Sequence, residues 1–117
     1  PIAIADSAHN LEGISMLIED ITEQKFKKTH VVYGTVNDKD PYRIMGKLPK
    51  KARYYFCKAD IPRGMKAKKL RKKAKAIGLK GKAYSSVKKA DKVAVKKANK
   101  KDLVLVTGSI FVVAELM

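Results

Sequence analysis

Ile2-Ala3-Ile4-Ala5-Asp6-Ser7-Ala8-His9-Asn10 decides how the rest of this chain is read. Over Ile2 to Ala5, small and branched apolar residues scarcely alternate with polar ones, which predicts a strand buried on both faces. Leu11, Ile14, Leu17, Ile18 and Ile21 then recur at helical spacing, with Glu12 at the positive end of the helix dipole. Between strand and helix, a carboxylate, an imidazole and an amide crowd one turn. In an open α/β sheet, ligands bind beyond the carboxyl ends of the strands, where helix amino termini and uncovered polar side chains converge. Asp6, His9 and Asn10 are therefore candidate site residues. An N-cap role for Asn10 and an ordinary loop role for His9 stand equally open at this point.

The same alternation continues to the other end of the chain. Thr29 to Val36 predicts a second strand, after which Asp40 and Pro41 read as N-cap and first residue of a short helix through Ile44 and Met45. Ala52 to Cys57 makes a third strand. A loop through Asp60, Pro62, Arg63 and Gly64 leads to a helix striped by Ala67, Leu70, Ala74 and Ile77 and ended by Gly78. Lys82 to Ser85 predicts a fourth strand, and Val87, Ala90, Ala94 and Ala98 a further helix. Leu103 to Val106 is a fifth strand, running through Thr107, Gly108 and Ser109 into a last apolar helix, Ile110 to Leu116. This order implies right-handed crossovers and an open, mostly parallel α/β sheet of about five to six strands with helices on both faces. It also predicts that four post-strand loops, Asp6 to Asn10, Gly34 to Asp40, Asp60 to Gly64 and Gly108 to Ser109, line one crevice.

A length of 117 residues fits one domain, residues 1 to 117, and a 45% apolar composition fits a folded chain. No apolar run approaches the ~20 residues that cross a bilayer, and no signal-peptide pattern opens the chain, so the expectation is a cytoplasmic protein without a membrane partner. The lone Cys57 reads as a small buried filler, and two histidines, His9 and His30, without a second cysteine argue against structural zinc. Because the chain starts at Pro1 and enters a strand at once, it reads as a domain cut from something longer.

Charge is lopsided, with 27 Lys plus Arg against 11 Asp plus Glu and a formal net charge of +16. Such a surplus attracts polyanions, so a basic nucleic-acid-binding domain is the alternative function. Two points weigh against it. Only four of the basic residues are arginine, the side chain that contacts bases and phosphates bidentately. The lysines concentrate on two helices, Lys66 to Lys75 and Lys88 to Lys97, whose apolar stripes turn most of them outward, while the strand-end rim carries Asp6, His9, Asp38, Asp40, Asp60 and Ser109.

Familiar catalytic loops are missing. Gly46-Lys47 is followed by Leu48, and Pro41 stands where the first glycine of a P-loop belongs, so this stretch cannot cradle a triphosphate. No Gly-x-Gly-x-x-Gly loop supports a dinucleotide-binding regulatory domain, and Ser109 lacks the flanks of a nucleophile elbow.

What does match is a set taken together: Asp6-Ser7-Ala8-His9-Asn10 with Gly13, Gly34-x-x-x-Asp38-Lys39-Asp40, Arg63-Gly64, and Val104-Leu105-Val106-Thr107-Gly108-Ser109. In order and spacing these resemble the C-terminal domain of folylpolyglutamate synthase and dihydrofolate synthase, in the Mur ligase superfamily, over nearly the whole chain. The resemblance implies a Rossmann-like domain that completes the active site of an ADP-forming ligase. ATP and Mg2+ serve the intact enzyme, the P-loop sits on a preceding ATPase domain absent from this chain, and glutamate is joined to a folate or dihydropteroate carboxylate through an acyl phosphate. It implies that Asp6 contacts the ATP ribose and that His9 and Ser109 contact the incoming glutamate. Asn10, Lys39 and Arg63 are further possible site residues, with helix capping and local ion pairing the leading roles for the first two. One departure is Leu11, where the family usually has proline as a first helical residue. Alone, the chain is expected to be inactive, binding neither cofactor, and no specific nucleic acid is expected as a partner.

Overall fold

The computed structural model describes residues 2–5, 13, 16, 19, 26–37 and 40–117. Five strands, β1 (Ile2–Ala5), β2 (Thr29–Gly34), β3 (Ala52–Phe56), β4 (Lys80–Ala83) and β5 (Leu103–Gly108), form one sheet in the order β1-β5-β2-β3-β4. Every neighbouring pair is parallel. The helices are α1 (Tyr42–Met45), α2 (Ala67–Ala76), α3 (Val87–Lys97) and α4 (Ile110–Ala114). The helical stretch expected between β1 and β2 includes Gly13, Met16 and Glu19, which are helical, while Leu11, Ile14, Leu17, Ile18 and Ile21 lie outside the described residues.

Side chains of the central strands alternate between two apolar layers, as a strand's two-residue repeat requires. Val31, Tyr33, Tyr54, Phe56, Leu103 and Leu105 point into the layer closed by Met45 of α1 and by Leu70 and Ala74 of α2. Val32, Tyr55, Val104 and Val106 point into the other, closed by Val87, Ala90 and Ala94 of α3 and Val112 of α4. The two layers follow from the path of the chain. It moves one way across the sheet from β1 to β4 and then returns to insert β5 between β1 and β2, and right-handed crossovers put outward and returning helices on opposite faces.

Three details depart from the sequence reading. β1 is an edge strand paired only with β5, and Ile2 is 55% exposed rather than buried on both faces. Small residues such as Ala3 and Ala5 suit a lightly covered edge as well as a buried strand. β4 begins at Lys80 rather than Lys82 because Gly81 is drawn into the sheet opposite Tyr54, where a Cβ would collide with the Tyr54 carbonyl. On α2, Lys68, Lys69 and Lys72 are exposed as expected, but Lys73 sits with its Nζ 5.6 Å from the centre of the Tyr42 ring, and Arg71 Nε donates to the Gly81 carbonyl at 3.0 Å. Gly78 at φ +86° ends this helix. Cys57 is fully buried, and burial, reinforced by the Glu115 and Asp91 carboxylates, pushes its thiol up to about 12, which makes it inert.

At the amino ends of the strands a buried polar pin joins three elements. Asp102 Oδ2 accepts from the backbone N–H of Asn99 at 3.0 Å and lies 3.0 Å from His30 Nε2, whose Nδ1 is 2.8 Å from the Tyr55 hydroxyl. A carboxylate only accepts, so His30 Nε2–H donates to it, and in the neutral ring Nδ1 accepts from Tyr55. The Asn99 hydrogen bond, followed by that from His30, holds the Asp102 carboxyl below the ordinary carboxylate range against the opposing effect of burial.

Asp102→Ala leaves the buried His30 Nε2–H without an acceptor and removes the part-buried Asn99 bond, and is expected to cost about 1 to 3 kcal/mol. Because the folded carboxyl is depressed, its contribution is present above the unfolded carboxylate value and is lost as pH falls through the folded one. Thermal melts should therefore show wild-type stability declining below about pH 4, and declining less steeply in Asp102→Ala. Parallel pH profiles in the two proteins would contradict this assignment.

Candidate functional site

Connections from β2 and β5 leave the sheet towards opposite faces, the first to α1 and the second to α4, so the crevice between their carboxyl ends is the point where the topology switches. A cavity of about 260 Å³ lies there, lined by Tyr33, Thr35 and Val36 from β2 and its loop, by Arg63, and by Ser109 and Phe111 beyond β5.

Backbone packing fixes this crevice. Gly34 and Gly108 are register partners, and a Cβ on Gly108 would collide with the Gly34 carbonyl oxygen. Gly108 also holds φ +113°, a conformation that L side chains rarely adopt. The Gly34 carbonyl then accepts the N–H of Ser109 at 2.9 Å. Ser109 N-caps α4, its Oγ accepting from the Phe111 N–H at 3.1 Å. A hydroxyl has one donor as well as its lone pairs, so this cap leaves the Ser109 O–H to donate elsewhere.

Arg63 is held by a second piece of backbone stitching. The Arg63 carbonyl accepts from the Asn37 N–H at 2.7 Å, Met65 N–H donates to the Thr35 carbonyl at 2.8 Å, and Val36 and Gly64 form an isolated antiparallel bridge. The loops after β2 and β3 are thereby zipped together, and Arg63 is brought to the same cavity as Ser109. A hydroxyl donor and a guanidinium on one small crevice, with apolar walls from Tyr33, Ile44 and Phe111, suit a small polar anion such as a carboxylate.

Of the expected site residues, Ser109 and Arg63 come together here. Asp6, His9, Asn10 and Lys39 lie outside the described residues. Asp60 does not join the crevice: its backbone N–H donates to Glu115 Oε2 at 2.6 Å, and it lines a separate depression with Lys88 and Glu115 on the far side of Phe111. The loop order alone could not reveal this, because the turn after β3 spends Arg63, not Asp60, on the β2 loop. Sequence reasoning also missed Thr35 and Phe111 as walls of the cavity, for which no motif gives a signal. Among the described residues, no group of three or more His, Cys, Asp or Glu side chains is placed to hold a metal ion.

The chain matches the family described as Mur ligase, glutamate ligase domain, over residues 1–110. A curated relative from Haloferax volcanii, described as a probable bifunctional folylpolyglutamate synthase/dihydropteroate synthase, is 33% identical over 120 residues, covering 98% of this chain and 14% of its own length. A protein of the same description from Halobacterium salinarum is 29% identical, again over 98% of this chain and 14% of its own length. Among solved structures, the bifunctional folylpolyglutamate synthase/dihydrofolate synthase of Yersinia pestis, complexed with AMPPNP and Mn ion, superposes with a TM-score of 0.89 at 28% identity, covering 100% of this chain and 28% of that one. E. coli FolC in complex with DHPP and ADP gives a TM-score of 0.86 at 31% identity, covering 98% of this chain and 27% of that one. The chain thus spans a minor part of the proteins it matches.

Replacing Gly108 by Ala should strain both φ and the Gly34 contact. The expected result is a loss of about 2 kcal/mol or more in a denaturant or thermal melt. A variant as stable as wild type would show that the two strand ends are not in the contact described.

Proposed function

The chain belongs to the Mur ligase, glutamate ligase domain family, and from that premise we propose that it is the single C-terminal, glutamate-binding domain, residues 1 to 117, of a cytoplasmic ATP-dependent ligase that adds glutamate to a folate or dihydropteroate carboxylate. In this reading a preceding ATPase domain holds ATP, its Mg2+ and the folate substrate, and this domain brings the glutamate and closes over the nucleotide.

The observation that carries the reading is the crevice at the β2–β5 switch point, where Ser109 and Arg63 are fixed by backbone contacts around a cavity of about 260 Å³. That volume suits an amino acid rather than a folate. The Ser109 O–H donates to a glutamate carboxylate, and His9 supplies a second donor. Arg63 offers a charged partner for the other carboxylate, since hydrogen bonds to ionised groups are the strong ones. Held this way, the glutamate amine is aimed out of the crevice towards the activated carboxylate, an acyl phosphate, and displaces phosphate. Asp6, one step past the end of β1, accepts from the ATP ribose. Alone, the domain has no triphosphate cradle and turns over neither substrate.

In the intact enzyme, His9→Ala and Ser109→Ala should raise the KM for glutamate, and Asp6→Ala should raise the KM for ATP. Each loses one hydrogen bond to a charged or hydroxyl partner, worth about 1.5 to 3 kcal/mol, or roughly one to two decades. Steady-state kinetics with each substrate varied in turn checks this. Unchanged constants in all three variants would place the substrates elsewhere.

A further inference from the structure

β3 and β4 form the outer edge of the sheet, and their two faces are covered differently. On one face α2 packs against both strands, whereas on the other α3 lies chiefly over β2, β3 and β5. The register sets His30, Arg53 and Lys80 side by side, and Val32, Tyr55 and Lys82 side by side two residues further on. Val32 and Tyr55 belong to the layer under α3, so Arg53, Lys80 and Lys82 share that face and emerge where α3 no longer covers it.

Two adjoining cavities run along this uncovered strip, of about 300 and 520 Å³, and Arg53, Lys80 and Lys97 line both. The first continues to Lys82 and Tyr84, the second to Lys28, Lys50 and Lys51. All of these cations are exposed. Among the described residues, Asp102 is the one carboxylate lining either cavity, and it is buried and already bonded to His30 and Asn99. Among the described residues, no acid therefore neutralises the strip from within. Tyr84 is half-buried at its far end, with its ring 5.9 Å from that of Tyr55.

A compact anion site would converge buried donors on one point. Here exposed cations on flexible stems follow an elongated path with an aromatic ring at one end, the arrangement by which a groove tracks a phosphate backbone while a base stacks. We infer that this strip binds single-stranded nucleic acid without sequence preference. It starts at the amino ends of the strands and follows the β4 edge to Tyr84, shares no lining residue with the Ser109 crevice, and does not depend on the ligase reading.

Fluorescence anisotropy of a labelled oligothymidylate of about a dozen nucleotides against the 117-residue chain, at about 0.1 M salt, tests the inference. Binding is expected, with a log Kd that rises with log salt at about 0.7 per phosphate neutralised. Arg53→Gln/Lys80→Gln/Lys97→Gln should weaken it by about tenfold or more, whereas Lys68→Gln/Lys69→Gln/Lys72→Gln, which removes the same charge from the outer face of α2, should stay within about twofold. Tyr84→Ala should cost about fivefold without changing the salt slope. Melting curves verify that each variant is folded, and Lys80→Gln alone, at an exposed edge position, gives the same comparison if the triple variant melts early. Equal losses in the two triple variants would reduce the effect to bulk charge and overturn the inference. So would equally tight binding of a duplex, or equal competition by poly-glutamate of matched charge, which would assign the strip to an acidic polypeptide instead.

Discussion

Two glycines facing each other across the central strand pair, Gly34 of β2 and Gly108 of β5, set the geometry from which the candidate site follows. With no Cβ on Gly108, the backbones approach closely enough for the Gly34 carbonyl to take the Ser109 N–H at 2.9 Å, while the bare Gly34 makes room for the Cys57 carbonyl and Val112. That bond ends β5, starts α4 and delivers the Ser109 hydroxyl to the mouth of the crevice. A larger residue at position 108 would push the strand ends apart and move the serine. The constraint acts where the segments leaving two neighbouring strands diverge to opposite faces, a place where open α/β sheets form a crevice.

The molecule is polar along its strand direction. At the carboxyl ends lie the Ser109 and Arg63 crevice and the Asp60 to Glu115 contact. At the amino ends, the Asp102, His30 and Tyr55 hydrogen bonds pin β5 to β2 and β3 beneath a belt of exposed lysines. A buried carboxylate bonded on one oxygen by both a backbone N–H and an imidazole is costly to remove, because the buried imidazole N–H is then left unpaired. The buried polar bonds thus lie at one end of the sheet and the candidate site at the other.

Much of this was legible in the residues. Strand and helix alternation gave the parallel sheet, because Val31 to Tyr33, Tyr54 to Phe56 and Leu103 to Val106 are too apolar to face water on either side, and the stripes of Leu70 with Ala74 and Ala90 with Ala94 fit only a sheet-covering helix. Ser109 was legible from its place after Thr107-Gly108. Other features depend on contacts far apart in sequence. His30 and Asp102 are separated by 72 positions, and nothing near either residue announces the pair. β4 was misplaced because Gly81 reads locally as a loop residue, whereas its role is to admit the Tyr54 carbonyl. Asp60 and Arg63 share a loop, and only the hydrogen bonds of Asn37 and Met65 decide which of them reaches the crevice.

The central claim is that glutamate occupies the crevice between the ends of β2 and β5. A crystal structure of the longer enzyme that contains this domain, with a non-hydrolysable ATP analogue and L-glutamate, tests it most directly. The account predicts glutamate density with a carboxylate within hydrogen-bond distance of Ser109 Oγ and facing Arg63. Glutamate bound instead among Lys28, Lys50 and Arg53 at the opposite end of the strands, with the Ser109 crevice filled only by water, would contradict it.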